Sequence, residues 1–106
     1  MRILFDQGTP VPLRHFLSPH QVETAYERGW STLANGALST MAEQEGFEVF
    51  VTTDRNLVFQ QNLRLRSLAV VVLSSPSWLR IQPAVALIRQ AIATAVPGKF
   101  AEVDIP

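Results

Sequence analysis

The sequence contains no cysteine and only one lysine, Lys99, among its 106 residues. Without cysteine, neither a disulfide framework nor thiolate chemistry is available. The longest purely apolar run, residues 68–73, is far too short to span a bilayer, so we expect no membrane association. The chain reaches its first carboxylate at Asp6, too early for a signal peptide, and we therefore expect a cytoplasmic protein.

An excess of basic charge is also lacking. Nine Lys and Arg residues balance nine Asp and Glu residues, which gives a formal net charge of zero. General electrostatic attraction to nucleic acid usually comes with a basic excess, so any contact with phosphate would depend on individual side chains. All but one of the basic residues are Arg, whose planar guanidinium suits bidentate binding of phosphate and equally suits ion pairs with carboxylates.

What the chain does contain is enough apolar sequence for one core. Hydrophobic residues make up 47% of it, and its length suits a single domain over residues 1–106. Short apolar runs rich in β-branched residues predict buried parallel strands, and weaker runs predict strands nearer the sheet edges. The predicted strands are residues 2–5, 22–25, 49–52, 68–73 and 100–105.

Amphipathic helical patterns lie between these strands. The predicted helices are one opened by Pro10 and Pro12, one with an apolar stripe in residues 37–42 that ends at Gly46, and one with a stripe from Ile81 to Val96 that ends at Pro97 and Gly98. A further short helix is expected between the third and fourth strands. The alternation predicts an α/β fold with a mostly parallel central sheet of four to five strands and helices on both faces.

Two aspartates follow strands that we expect to be neighbours. Asp6 directly follows the first strand, and Asp54 follows the third. Ligands of open α/β sheets bind beyond the carboxyl ends of the strands, so both carboxylates are predicted to face one crevice. Their like charges favour a bound cation, and their hard oxygens favour Mg²⁺ or Mn²⁺. The alternative is that each Asp only caps the following turn.

Three short motifs resemble a family of small bacterial PIN-like domains. Residues 3–10 (ILFDQGTP) are similar to the family's LDENxP opening, residues 25–38 (AYERGWSTLANGAL) to its GxxDxEI region, and residues 51–57 (VTTDRNL) to its [IV]TxDxDF motif. The resemblance covers nearly the whole chain. It implies a PIN-like three-layer sandwich and, by extension, Mg²⁺- or Mn²⁺-dependent cleavage of RNA, in which a water attacks a phosphodiester in line.

The same resemblance implies partners. PIN domains of this size often act as toxins beside a small DNA-binding antitoxin, and RNA is the expected substrate. PIN-type domains also commonly form homo-oligomers. The apolar surface of the last predicted helix would help the chain to dimerise.

The sequence departs from the family pattern at three acidic positions. Gln7, Asn35 and Asn56 stand where the family usually has Glu, Asp and Asp. Each amide keeps an oxygen acceptor but removes a negative charge. We therefore expect Asp6, Asp54, Asn35 and Asn56 to hold one cation at most, with the two aspartates as the catalytic residues. The alternative function is a PIN-like module that has lost catalysis and binds RNA or a protein partner.

Other polar residues have a structural interpretation beside a functional one. Asn35 precedes an apolar stripe and would be a good helix N-cap. Arg55 is the best placed candidate for a phosphate contact because it follows Asp54, and Arg14 and Gln7 are further candidate substrate ligands. Ion pairs at the surface are the alternative for the arginines. Further candidates are Arg28, Arg64 and Arg66 for phosphate, Trp30 and Trp78 for stacking on a base, and Glu43 and Asn62 for an additional ligand, although surface or core positions are the simpler expectation for these.

Overall fold

Strands and helices alternate along the chain. The computed structural model describes residues 1–56 and 67–106. The strands are β1 (Arg2–Phe5), β2 (Gln21–Thr24), β3 (Val49–Thr52), β4 (Ala69–Leu73) and β5 (Phe100–Val103). The helices are a 3-10 helix (Val11–Phe16), α1 (Asn35–Gln44), α2 (Trp78–Ile81), a 3-10 turn (Gln82–Ala84) and α3 (Val85–Ala93).

The strands form one sheet in the order β2-β1-β3-β4-β5, and every neighbouring pair is parallel. From β1, the next strand along the chain lies on one side, while β3, β4 and β5 lie on the other. The topological switch point therefore lies between β1 and β3. The predicted α/β class and the parallel sheet of four to five strands are confirmed, and the architecture is consistent with a PIN-like sandwich.

Successive side chains of β1, β3 and β4 enter two apolar clusters, one on either face of the sheet. In β1, Ile3 and Phe5 belong to the first cluster and Leu4 to the second. The 3-10 helix and α3 contribute Leu13 and Ile88 to the first cluster, while α1 covers the second. Helices therefore cover both faces, as predicted. Strands buried on both faces have continuous apolar sequences, which is why these runs predict the strands correctly.

The first predicted helix is a 3-10 helix rather than a longer amphipathic helix. Leu13 N–H donates to Pro10 O and Leu17 N–H donates to Arg14 O, both at 3.2 Å and both three residues back along the chain. Pro12 lies in the first turn, where the N–H that it lacks would have no helical partner. The segment spans Val11–Phe16.

The predicted terminal helix is interrupted and ends early. The 3-10 turn Gln82–Ala84 separates α2 from α3, and it contains Pro83, which cannot donate a helical hydrogen bond. The helix α3 ends at Ala93, and the backbone N–H and the hydroxyl of Thr94 both donate to Gln90 O, at 3.0 and 2.9 Å. Val96 consequently leaves the apolar stripe and is 49% exposed.

The short helix predicted between β3 and β4 falls on residues 57–66, outside the described part of the chain. Asn62, Arg64 and Arg66 lie there as well. Among residues 1–56 and 67–106, no helix combines the length and the apolar character needed to cross a bilayer.

Candidate functional site

Asp6 and Asp54 lie at the carboxyl ends of β1 and β3, on either side of the switch point. The backbone N–H of Asp6 donates to Val51 O at 3.2 Å, which extends the pairing of the two strands by one residue. The Asp6 residue is almost buried, with 5% of its surface exposed, and Asp54 is partly buried. Strand pairing therefore brings the two predicted residues to the same edge of the sheet.

Asn35, the first residue of α1, joins the two carboxylates. Its Nδ2 donates to Asp6 Oδ2 and to Asp54 Oδ2, both at 3.3 Å, so these two oxygens lie no more than twice that distance apart. Because both partners are carboxylate oxygens, the amide presents its NH2 group and gives one hydrogen to each acid. We call Asp6, Asn35 and Asp54 the Asp–Asn–Asp site.

The interpretation of Asn35 as a helix N-cap is wrong. The cap residue of α1 is Ala34, whose backbone is extended (φ −67°, ψ 157°), and no side chain caps the helix. The Asn35 amide is used by the carboxylates instead. Since α1 begins at the residue that contacts both acids, the positive end of its dipole lies at the site and stabilises negative charge there.

Two buried threonine hydroxyls complete the surroundings of Asp6. Thr9 Oγ1 donates to Asp6 Oδ1 at 2.7 Å, and Thr52 Oγ1 donates to Asp6 Oδ2 at 2.5 Å. Thr52 Oγ1 also accepts the backbone N–H of Asp54 at 3.0 Å, so one hydroxyl contacts both acids. Neither threonine was predicted from the sequence as part of the site. The available signal for Thr52 was a polar residue at the buried end of an apolar strand.

Asp54 also caps the turn that follows it, which was the predicted alternative to a role in the site. The backbone N–H of Asn56 donates to Asp54 Oδ1 at 2.9 Å, which closes an Asx turn. The other oxygen, Oδ2, accepts from Asn35. Closing a turn and facing the crevice are therefore compatible, because the carboxylate uses a different oxygen for each.

Neutral donors balance the repulsion between the two acids. Two unit charges about 6 Å apart repel by about 3 kcal/mol at an effective dielectric constant of about 20. Against this stand the donor contacts from Thr9, Thr52, Asn35 and the Asn56 backbone. A hydrogen bond to a charged group contributes about 1.5–3 kcal/mol. These donors offset the repulsion between the two carboxylates, and every one of them is a neutral group.

The residues of the Asp–Asn–Asp site fit one Mg²⁺ or Mn²⁺. With the amide turned over, Asp6 Oδ2, Asp54 Oδ2 and Asn35 Oδ1 would offer three hard oxygens. Mg²⁺ commonly takes one or two carboxylates in proteins and keeps several waters, which matches this set. Among residues 1–56 and 67–106, no group of three or more His, Asp or Glu side chains is placed to hold a metal ion, so the third oxygen at this site would come from the amide.

The loops that carry the two acids touch at Gly8. A Cβ at this position would overlap Thr53 Oγ1 in the loop after β3. Gly8 does not have a positive φ, so the position requires space rather than a left-handed backbone. Glycine here lets the loop of Asp6 lie directly against the loop of Asp54.

The candidate substrate ligands differ in how firmly they are already bound. Arg14 forms a bidentate pair with Glu27, at 2.6 and 3.1 Å. Arg55 is exposed, and its Nε lies 3.9 Å from Glu102 Oε1 on β5. Gln7 is exposed directly after Asp6.

The remaining candidates have structural contacts. Arg28 lies over the ring of Trp30 at 4.7 Å from its centroid, and Trp78 packs against Phe16 with centroids 5.6 Å apart. Both tryptophans are half-buried against the core. Glu43 accepts the backbone N–H of Ser67 at 2.9 Å.

Family membership stays a prediction after comparison with known proteins. Protein-family models, curated proteins and solved structures were compared with this chain, and none of them matches it.

Proposed function

We propose that this chain is a Mg²⁺- or Mn²⁺-dependent ribonuclease that acts at the Asp–Asn–Asp site. The observation that carries the proposal is the convergence of Asp6 and Asp54 on one Asn35 amide at the switch point of a parallel sheet. Open α/β sheets bind their ligands at that point. RNA is the proposed substrate class because of the three motifs that resemble PIN-like domains.

The residues around the site have separate tasks in this reaction. Asp6 and Asp54 would hold the cation, which when bound neutralises phosphate charge and activates a water for in-line attack. Thr9 and Thr52 fix the orientation of Asp6, and the Asn56 N–H fixes that of Asp54. In the hydrolysis, the water oxygen bonds to phosphorus, one bridging P–O bond breaks, and the leaving ribose oxygen takes up a proton.

Arg55 is the better of the two arginines for contact with the scissile phosphate. A surface pair such as that of Arg55 with Glu102 contributes only about 0–1 kcal/mol, so a phosphate can replace the glutamate. Arg14 would have to leave a bidentate pair with Glu27, and Glu27 also accepts the backbone N–H of Thr24. Arg14 is therefore better placed for stability than for substrate binding.

Cleavage of single-stranded RNA in Mg²⁺, Mn²⁺ or EDTA tests the proposal. We expect Asp6→Ala and Asp54→Ala each to lower the cleavage rate by about 100-fold or more, because each removes a proposed cation ligand. Asp104→Ala is the matched control, since Asp104 is exposed beyond β5 and is expected to be dispensable. Equal cleavage by the wild type and both site variants would refute the nuclease.

One observation favours a second function, a PIN-like module that binds RNA without cleaving it. The carboxylates are already satisfied by neutral donors, and no third acid joins them in the described part of the chain. Such a module would retain RNA in EDTA, release no product when Mn²⁺ is added, and bind no Mn²⁺ at millimolar concentration. Mn²⁺ binding with product release would exclude it.

The role of a toxin paired with a small DNA-binding antitoxin rests on the family resemblance alone. Growth arrest on expression, relieved by Asp6→Ala at an equal protein level, would support it. If the wild type and Asp6→Ala both arrest growth, the toxicity does not depend on the Asp–Asn–Asp site.

A further inference from the structure

In the part of the chain that the structure describes, no cationic side chain contacts the two acids of the Asp–Asn–Asp site. Within residues 1–56 and 67–106, neither Asp6 nor Asp54 forms an ion pair, although arginines elsewhere pair with Glu23, Glu27 and Glu45. The only group in that part of the chain that contacts both carboxylates with side-chain N–H donors is the Asn35 amide. The contact that a cation would make is thus made here by a neutral NH2 group.

We propose that Asn35 is a positioning residue that takes the place of the cation while the site is cation-free. Its two N–H groups hold the carboxylates at a fixed separation, and its place at the first residue of α1 keeps the positive end of the helix beside them. With a cation bound between the carboxylates, the amide would turn so that Oδ1 rather than Nδ2 faces the cation. The second half of the proposal, the turning of the amide, rests on the proposed cation site. The first half, the role of Asn35 in the cation-free site, does not.

The residue type at position 35 decides this behaviour. An aspartate there would place a third acceptor where a donor is needed, so three carboxylates would face one another without a cation. An alanine would remove both donors and leave Asp6 and Asp54 to repel. An asparagine alone among these three serves both states, because its amide carries a donor on one side and an acceptor on the other.

Thermal unfolding in EDTA at neutral pH tests the first half. We expect Asn35→Asp to lower the Tm by about 10 °C and Asn35→Ala by about 5 °C relative to the wild type in EDTA, because the first variant loses both donors and adds a charge whereas the second only loses the donors. Ala37→Asp is the matched control: it adds the same charge to the first turn of α1 at an exposed position and is expected to leave the Tm within about 2 °C. An Asn35→Asp protein as stable in EDTA as the wild type would overturn the proposal.

Addition of Mg²⁺ or Mn²⁺ shows whether charge repulsion or a general packing defect lowers the Tm of Asn35→Asp. Millimolar Mg²⁺ is expected to restore most of the Tm of Asn35→Asp and little of that of Asn35→Ala, because only the former gains a ligand. If Asn35→Asp does not fold under either condition, Asn35→Ala in EDTA carries the test, and an unchanged Tm for that variant would refute the positioning role.

Nuclear magnetic resonance of the Asn35 side-chain NH2 group tests the second half. In EDTA we expect a pair of resonances protected from solvent exchange, and on addition of Mg²⁺ we expect that protection to be lost as the NH2 turns away. Retained protection with Mg²⁺ bound would overturn the turning of the amide. If Asn35→Asp is destabilised and the wild type binds no Mg²⁺, the positioning role of Asn35 stands and the nuclease is rejected. If the wild type cleaves RNA and Asn35→Asp is as stable as the wild type, the nuclease stands and the positioning role is rejected.

Discussion

At the scale of single residues, Thr52 has more influence on the site than its place in an apolar strand indicates. Its hydroxyl is fully buried, donates to Asp6 Oδ2 and accepts the Asp54 N–H. An N–H group can only donate and a carboxylate can only accept, so the direction of the hydroxyl hydrogen is determined. One atom therefore links the end of β1 to the turn after β3.

The link between Thr52 and Asp6 predicts a coupling free energy. Thr52→Val keeps the shape of the side chain and removes the hydroxyl, and we expect it to cost about 1–2 kcal/mol more in the wild type than in Asp6→Ala, since the hydrogen bond to Asp6 exists only in the former. Urea unfolding of the four proteins in EDTA measures this difference. The control cycle pairs Thr52→Val with Asp104→Ala, whose effects should add within about 0.5 kcal/mol. A Thr52–Asp6 cycle that is equally additive would contradict the link.

At the scale of elements, a surface ion pair fixes the 3-10 helix that follows Asp6. Arg14 of this helix forms a bidentate pair with Glu27, which follows β2 and also accepts the Thr24 N–H. The Arg14 hydrogen bond and the Thr24 N–H hold the pKa of Glu27 at about 2, below its ordinary value of 4.5. The pair therefore joins two elements on the edge side of β1.

The depressed pKa of Glu27 predicts a pH dependence of stability. Because the pKa is lower in the folded state, the stabilisation is fully present above about pH 4.5 and is lost as the pH falls toward 2. We expect both Glu27→Gln and Arg14→Met to flatten the fall of the free energy of unfolding in this window, measured by urea unfolding at a series of pH values. The effect should be modest, since the Glu27 side chain is 46% exposed and solvent screens the pair. If the free energy of unfolding of both variants falls with pH as steeply as that of the wild type, the Arg14–Glu27 pair is not the source of the pH dependence.

At the scale of the whole molecule, one sheet serves two apolar clusters. Because alternate side chains of the same strands enter opposite faces, neither cluster can lose its packing without disturbing the strands that support the other.

The ion pairs within residues 1–56 and 67–106 act in the same direction as the net charge of zero, which predicts weak nonspecific attraction to nucleic acid. Arg2, Arg14 and Arg28 are bound to glutamates, so these three side chains are not free for nonspecific attraction of nucleic acid.

The shared sheet predicts cooperative unfolding of the two faces. Trp30 packs against one cluster and Trp78 against the other, so each reports on one face. In the single-tryptophan variants Trp30→Phe and Trp78→Phe, we expect the fluorescence midpoint in urea to coincide with the midpoint by far-ultraviolet circular dichroism. A fluorescence transition that precedes the circular dichroism transition in one variant would show that its face unfolds separately.

The parts of the structure that could be predicted are those with a local cause. The apolar runs of residues 49–52 and 68–73 predict buried strands because both faces of the sheet are covered. Asp6 and Asp54 were placed together from their positions after two such strands. The interruption of the terminal helix was harder, since Pro83 predicts a helix start as readily as a break.

The contacts that were missed join residues far apart in the chain. Asn35 lies 29 residues from Asp6, and Thr52 lies 46 residues from it. The residue types were suitable for many roles, and the partner of Arg14 had no local signal at all. Those choices depend on which side chains the sheet order and the covering helix bring within hydrogen-bonding distance.

The amino-acid sequence by itself determined the α/β class, the positions of the strands and the presence of two carboxylates at strand ends, because these follow from local hydrophobic pattern and parallel pairing. Only the tertiary structure decided that the Asn35 amide lies between the carboxylates instead of capping α1, and that Thr52 links both. The reason is physical: a side chain's hydrogen-bond partner is set by its neighbours in space, and those neighbours exist only once the sheet has assembled.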